Sequence, residues 1–244
     1  MRRWFWLLAL FLAACGNTEA PAPDATGDDA TAVEQPEDLA QGAEIVSSDP
    51  AGVENVGRFR LGVDYFRLSP TQPTSSSPDK VEVAEVFWYG CPHCRAFDPY
   101  LNRWLQTKPE YVSFLRIPAV WNPLLQLHAR AFYTAETLGK GAEMHEEFFR
   151  EIHERGNALD TEAKLQEFFG RFGVDAARFK STFESFAVQA KLQRADELNR
   201  RYRIGSVPTL VVNGKYTTDG GQAASYDDLL LLVTELAAAE HSGQ

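Results

Sequence analysis

The sequence predicts an α/β fold in which a long helical block interrupts a sheet. Three observations carry this. VEVAEVFWYG (81–90) is β-branched and aromatic, and it runs into an apolar stripe at helical spacing. Residues 123–202 then keep helical periodicity almost without a break. Finally VPTLVVNGKYTT (207–218) sets Asn-Gly between two short strands, ahead of a last apolar helix.

The chain opens with Arg2 and Arg3 followed by an apolar run from Trp4 to Ala14. A helix needs about 20 residues to span a membrane, so this run reads as an export signal. Leu12-Ala13-Ala14-Cys15 resembles a bacterial lipobox, in which Cys15 would be lipidated and become the first mature residue. Residues 1–14 are thus expected to be a lipoprotein signal peptide and 15–54 a lipidated, disordered acidic tether. Residues 16–54 hold ten acids, no Lys or Arg and little to bury, too little apolar area to offset the entropy of ordering. Setting those acids and the two leading arginines aside leaves 22 basic and 24 acidic residues, close to neutral. That excludes a nucleic-acid footprint.

Val81 to Gly90 reads as a buried strand. Beyond it Phe97, Leu101, Trp104 and Leu105 mark a helix with one apolar face, so Cys91 and Cys94 fall at a strand-to-helix junction. YVSFLRIPAV (111–120) is a second strand. In the helical block, Leu124 to Ala135, Met144 to Ile152 and Leu165 to Phe172 form three stripes. One long final helix is expected to carry Phe179, Phe183, Phe186, Ala190, Ala195, Leu198 and Tyr202. Asn213-Gly214 predicts a two-residue hairpin, and Ser225 to Asp228 a capping box before Leu229, Leu232, Val233 and Leu236. His128, His145, His153 and His241 have no partners at ligand spacing and read as surface or cap residues.

Of three cysteines, one is assigned to lipid and only Cys91 and Cys94 remain. A stapled secreted fold would need more pairs, and a structural zinc site needs four ligands. A working pair of thiols is the better reading. At a helix N-terminus, free backbone N–H groups and the macrodipole stabilise an anion on Cys91. Its lowered pKa makes Cys91 the nucleophile, while Cys94, one turn in, is more shielded. His93 adds donor capacity and, when protonated, positive charge. Pro92 removes one N–H and stiffens the turn. A thiolate stabilised in this way favours the reduced form and makes the disulfide a strong oxidant.

Cys91-Pro92-His93-Cys94 resembles the active site of the DsbA family of periplasmic thiol:disulfide oxidoreductases. Gly205-Ser206-Val207-Pro208-Thr209, running into Val212-Asn213-Gly214-Lys215-Tyr216, is similar to that family's cis-proline segment and hairpin. The resemblance covers roughly residues 58–240. It implies a thioredoxin fold, here 55–122 with 191–244, carrying an inserted helical domain at 123–190. It also implies that Cys91 exchanges, that Cys94 resolves the mixed disulfide, and that Pro208 is a cis proline facing them. Val207 would then offer its backbone to an extended substrate. Glu85 matches the family's buried acid beneath the disulfide. Arg116 stands where the family usually has lysine; being always protonated, it is expected to hold Glu85 anionic. Asp98 replaces the family's usual Glu. No cofactor is implied beyond the redox-active Cys91–Cys94 disulfide.

The function implied is an enzyme that donates its disulfide to folding exported proteins with cysteines and is recharged by a quinone-linked membrane oxidase of the DsbB type. Two alternatives remain. One is a disulfide isomerase or reductase kept reduced, against which residues 16–54 offer no dimerisation domain. The other is a non-catalytic thioredoxin-fold chaperone or binding module. A monomer in the periplasm is expected, lipid-anchored. Gly16 after the lipidated cysteine points to the outer membrane by the better-known sorting rule. Yet a tether of 39 residues reaches at most about 130 Å, and recharging requires contact with the inner membrane, so the inner membrane is favoured.

Overall fold

A computed structural model describes residues 55–243. The expected signal peptide, lipidated Cys15 and the tether to residue 54 lie outside these residues. Among the described residues, no helix is long and apolar enough to cross a membrane.

Three two-residue strands that the sequence did not announce come first: β1 (Asn55–Val56), β2 (Phe59–Arg60) and β3 (Phe66–Arg67). The expected core elements follow as β4 (Val81–Phe87), α1 (Pro92–Thr107) and β5 (Val112–Pro118). Five helices come next: α2 (Pro123–Thr137), α3 (Gly141–His153), α4 (Glu162–Gly170), α5 (Ala176–Phe183) and α6 (Phe186–Arg201). The chain closes with β6 (Thr209–Val212), β7 (Tyr216–Asp219) and α7 (Tyr226–Ser242).

The main sheet has the order β3-β7-β6-β4-β5. β4 pairs parallel with β5 and antiparallel with β6. It is buried along its whole length, which explains its nearly unbroken apolar sequence. Side chains alternate across it. Val81 and Val83 join a core with Phe97 and Leu101 of α1 and the apolar stripe of α7. Ala84 and Val86 face the other way, against Leu125 and Ala129 of α2 and Val188, Leu192 and Ala195 of α6.

Two expectations about the helical block change. The single long helix over 179–202 is broken between Phe183 and Phe186. Ser185 caps a new helix there by accepting a hydrogen bond from the Val188 N–H (3.3 Å), and Phe186, read as core, is 86% exposed at that start. The expected insertion boundary at 190 also falls inside α6. That helix covers the sheet, whereas α3, α4 and α5 share a separate phenylalanine-rich core built on Phe148, Phe149, Phe168, Phe169 and Phe179.

The hairpin turn differs by one residue. Asn213 and Gly214 take φ of +52° and +62°, and the Lys215 N–H donates to the Val212 carbonyl (2.9 Å). Three residues rather than two therefore separate the paired Val212 and Tyr216. Ser225 caps α7 through the Asp228 N–H, but the Asp228 carboxylate pairs with Arg58 of the N-terminal segment rather than completing a capping box.

The segment after β3 straps onto this hairpin: the Gln72 N–H donates to the Gly214 carbonyl (2.7 Å). A Cβ on Gly214 would stand 2.1 Å from the Gln72 carbonyl oxygen, whereas one on Gly139, also at positive φ, would meet nothing. Gly139→Ala should cost about 1 kcal/mol, the positive-φ penalty alone. Gly214→Ala should cost a further 1–3 kcal/mol or so for displacing the strap. Denaturant midpoints of the two variants measure the difference, and equal losses would mean the strap yields freely.

Candidate active site

The site is assembled from the ends of β4, α1 and β6. Trp88-Tyr89-Gly90 leaves β4, and the Cys91 N–H donates back to the Trp88 carbonyl (3.0 Å), closing a tight turn. Cys91 is the N-cap of α1, with Pro92 at the first helical position, where the missing N–H costs nothing. Both cysteines are free thiols and both are buried, Cys94 completely. The Cys91 thiol donates to the Val207 carbonyl at 3.4 Å, and the Val207–Pro208 peptide is cis. His93 is exposed, and with Val207, Pro208, Asp219 and Tyr226 it lines a surface cavity of about 260 Å³ beside the thiols. The Tyr226 hydroxyl donates to the His93 carbonyl (3.3 Å), tying α7 to the same turn.

The two thiols are driven apart electrostatically. A hydrogen bond from Cys94, the backbone N–H groups of Cys94 and His93, and the His93 charge together pull Cys91 down to about 6, against the cost of its burial. Burial pushes Cys94 far up, and the Cys91 and Glu85 charges add to the rise. One thiol is therefore an anion near neutral pH and the other keeps its proton.

Beneath them lies a buried charge network. Glu85 and Arg116 are register neighbours on β4 and β5, and Arg116 Nε donates to Glu85 Oε2 at 3.0 Å. The same guanidinium donates to Asp98 (3.1 Å) and Asn102 (3.1 Å) on α1. Arg116 was expected to hold Glu85 anionic. Instead burial outweighs it and, with Asp98 adding like charge, raises the Glu85 carboxyl to about 7. The same guanidinium also serves Asp98, and hydrogen bonds from His145, Arg116 and Asn102 hold Asp98 low despite its own burial.

The described cysteine, proline and charged residues singled out in the sequence thus meet in one place, while Cys15 lies outside the described residues. Among the described residues no group of three or more His, Cys, Asp or Glu side chains is placed to hold a metal. Asp98 as a member of the charge network was missed, although its position seven residues after Cys91 puts it two turns down the same helix. The histidines need correction. His128 and His145 are buried rather than superficial, and His153 bonds the Tyr89 carbonyl (2.8 Å). Only His241, exposed in the last turn of α7 and stacked on Tyr111, fits the expectation. Each buried ring finds its partners across the tertiary structure, which spacing along the chain cannot show.

Comparison with known proteins agrees with this geometry. The family model described as a DSBA-like thioredoxin domain matches residues 115–230. The thiol:disulfide interchange protein DsbA of Azotobacter vinelandii is 37% identical over 206 residues, covering 84% of this chain and 93% of the relative. The chain belongs to the DsbA family. DsbA of Pseudomonas aeruginosa is 38% identical over 184 residues, covering 75% of this chain and 87% of that one. Its crystal structure superposes with a TM-score of 0.72 over 76% of this chain and 96% of that one. The oxidoreductase DsbA from Xylella fastidiosa gives a TM-score of 0.69 at 31% identity, covering 73% of this chain and 96% of that one. This DsbA-family chain is accordingly a thiol:disulfide oxidoreductase with a thioredoxin-like fold and a helical insertion.

The Glu85 shift has a consequence for stability. Its carboxyl loses its proton near 4.5 when unfolded but near 7 when folded. The folded state therefore binds the extra proton between these values, and its stability falls as pH rises through that window. Glu85→Gln should remove this slope, so that the variant gains on wild type from pH 4.5 to 7 and runs parallel above it. Denaturant unfolding of both proteins in the dithiol form across that range reads the difference. A constant offset would show that Glu85 ionises alike in both states.

Proposed function

We propose that this DsbA-family protein is a periplasmic oxidase whose Cys91–Cys94 disulfide passes to folding exported proteins through a mixed disulfide at Cys91. The observation that carries this is the opposed ionisation of the two thiols: Cys91 is an anion near neutral pH and Cys94 is not. A pair that holds one thiolate so readily gains by being reduced, so its disulfide is an oxidant.

The steps follow from the geometry. A client thiolate attacks Cys91 Sγ and the Cys91–Cys94 bond breaks, leaving the electron pair on Cys94. Buried and high in pKa, Cys94 must take up a proton. Glu85, whose charge already acts on Cys94 and whose own pKa is about 7, is suited to give it. Arg116 and Asp98 then set how readily Glu85 recovers its proton. A second client thiolate attacks the client sulfur of the mixed disulfide, and Cys91 leaves as a stabilised thiolate. The client is oxidised by two electrons and the pair reduced by two. His93 and Pro92 shape the first turn of α1, and Val207 and Pro208 present backbone beside Cys91 for an extended client segment.

The reduced pair must be recharged, and a quinone-linked membrane oxidase of the DsbB type would do so. Lipidation at Cys15 and the acidic tether place the monomeric enzyme at the periplasmic face of the inner membrane.

Four measurements test this reading. Titrating thiolate absorbance should give a Cys91 midpoint near 6, lost in Cys91→Ser. Cys94→Ser should accumulate mixed disulfides with client proteins, and thiol trapping in intact cells should find the wild-type pair oxidised. A pair found reduced in cells would favour an isomerase or reductase. For the anchor, fractionation should recover wild type with inner membranes and Cys15→Ala as released protein. Recovery of the oxidised protein from outer membranes alone would exclude recharging at the inner membrane.

A further inference from the structure

Trp88 and Tyr89 carry β4 into the Cys91 turn, and Tyr89 packs among Phe87, Phe148 and Phe149, but the Trp88 indole N–H and both oxygens of Tyr89 are bonded by histidines of the helical block. The Trp88 indole Nε1–H donates to His128 Nδ1 of α2 (3.0 Å), and the other ring nitrogen of His128 bonds the Ala158 carbonyl (3.1 Å). Since a carbonyl only accepts, Nε2 carries the proton and Nδ1 is the acceptor, so His128 serves here as a neutral ring of one tautomer. Its burial, 2% exposed, lowers its pKa and favours that neutral form. From α3, His145 bonds the Tyr89 hydroxyl through Nδ1 (3.0 Å) and Asp98 through Nε2 (3.2 Å), and His153 Nε2–H donates to the Tyr89 carbonyl (2.8 Å).

These bonds bear on the thiol through the backbone. The Trp88 carbonyl accepts the Cys91 N–H, and the indole lies close against Gly90. A Cβ built at Gly90 would stand 2.2 Å from the Trp88 ring. Moving the indole therefore frees Gly90, the residue next to Cys91, and with it the aim of the first N–H groups of α1. We propose that His128 is a positioning residue for the exchange reaction: by anchoring the Trp88 indole against Gly90, it holds Cys91 where the His93 and Cys94 N–H groups meet its sulfur. His145 and His153 steady Tyr89 in the same turn. The helical insertion thereby sets the chemistry of a cysteine that belongs to another part of the fold. The inference rests on the reading of Cys91 as the exchanging thiol, not on the direction of transfer to clients.

The test compares His128→Phe, which removes the acceptor, with His128→Asn, whose side-chain oxygen can occupy the place of Nδ1. Two quantities are read: the Cys91 thiolate midpoint, and the equilibrium constant with glutathione, in which the dithiol gives two electrons to glutathione disulfide and yields two glutathione thiols. His128→Phe should raise the midpoint by about 0.5–1 unit and shift the equilibrium about three- to tenfold toward the protein disulfide. His128→Asn should keep the equilibrium within about twofold of wild type and the midpoint within about 0.3 unit. Should His128→Phe fail to fold, Trp88→Phe deletes the indole donor from the other side and carries the same expectation. If these variants lose stability equally in both redox forms while midpoint and equilibrium hold at wild-type values, His128 is a packing residue and the proposal falls, with the role of Cys91 untouched. A wild-type midpoint near the ordinary 8.5 overturns the reading of Cys91 itself, and the proposal with it.

Discussion

A thiolate survives near neutral pH at Cys91 because the first N–H groups of α1 have no partners within the helix and turn toward its sulfur. Most of the surrounding architecture serves that alignment. β4 is buried on both faces and paired on both edges, so its C-terminal end is a fixed point. α1 is locked against the sheet by Phe97 and Leu101, both fully buried. Between these rigid bodies only four residues, Trp88 to Cys91, remain to set the angle at which the helix begins. Small changes in that turn translate directly into the donors that Cys91 meets.

The second thiol depends on the opposite condition. Cys94 lies one turn deeper, without exposure, above a carboxyl group that burial has made reluctant to ionise. Burial is the larger influence on Glu85, and Arg116 opposes it. That one guanidinium is divided between Glu85 and Asp98. Burial, opposed by a cation that two acids share, is thus what makes Glu85 a group able to carry a proton. The partner of Asp98 on the other side, His145, comes from the helical insertion, so the charge balance below the thiols is set by both parts of the molecule.

Much of this was legible in the chain. The periods of 81–87 and 92–107 place Cys91 at a helix start whatever the fold, because a buried strand and an amphipathic helix are local patterns. Asn213-Gly214 marks its turn for the same reason, both residues tolerating positive φ. The pairing of Glu85 with Arg116 came from the family resemblance, and the parallel register of β4 and β5 sets the two side by side. The break at Ser185 was missed because Phe179, Phe183 and Phe186 continue a helical spacing in which only the first two are buried. The short strands before residue 68 escaped notice because two-residue ladders have no period to detect.

By itself, the sequence determined which candidate residues to bring together and which elements present them: two cysteines at a strand-to-helix junction, an acid and an arginine on neighbouring strands, a proline ahead of the hairpin. The direction of the Cys91 shift followed from its place at a helix start, but tertiary structure alone decided the charge of Glu85 and how far each group is shifted. Whether a carboxyl is protonated near 7 or a thiol ionised near 6 depends on how much water burial removes and on which distant groups come within hydrogen-bond reach. Asp98, His128, His145 and His153 lie up to 62 residues from Cys91 in the chain and reach its turn or the charges beneath it only through the packing of α1, α2 and α3. Spacing encodes local geometry, whereas desolvation and long-range partners exist only once the core has closed.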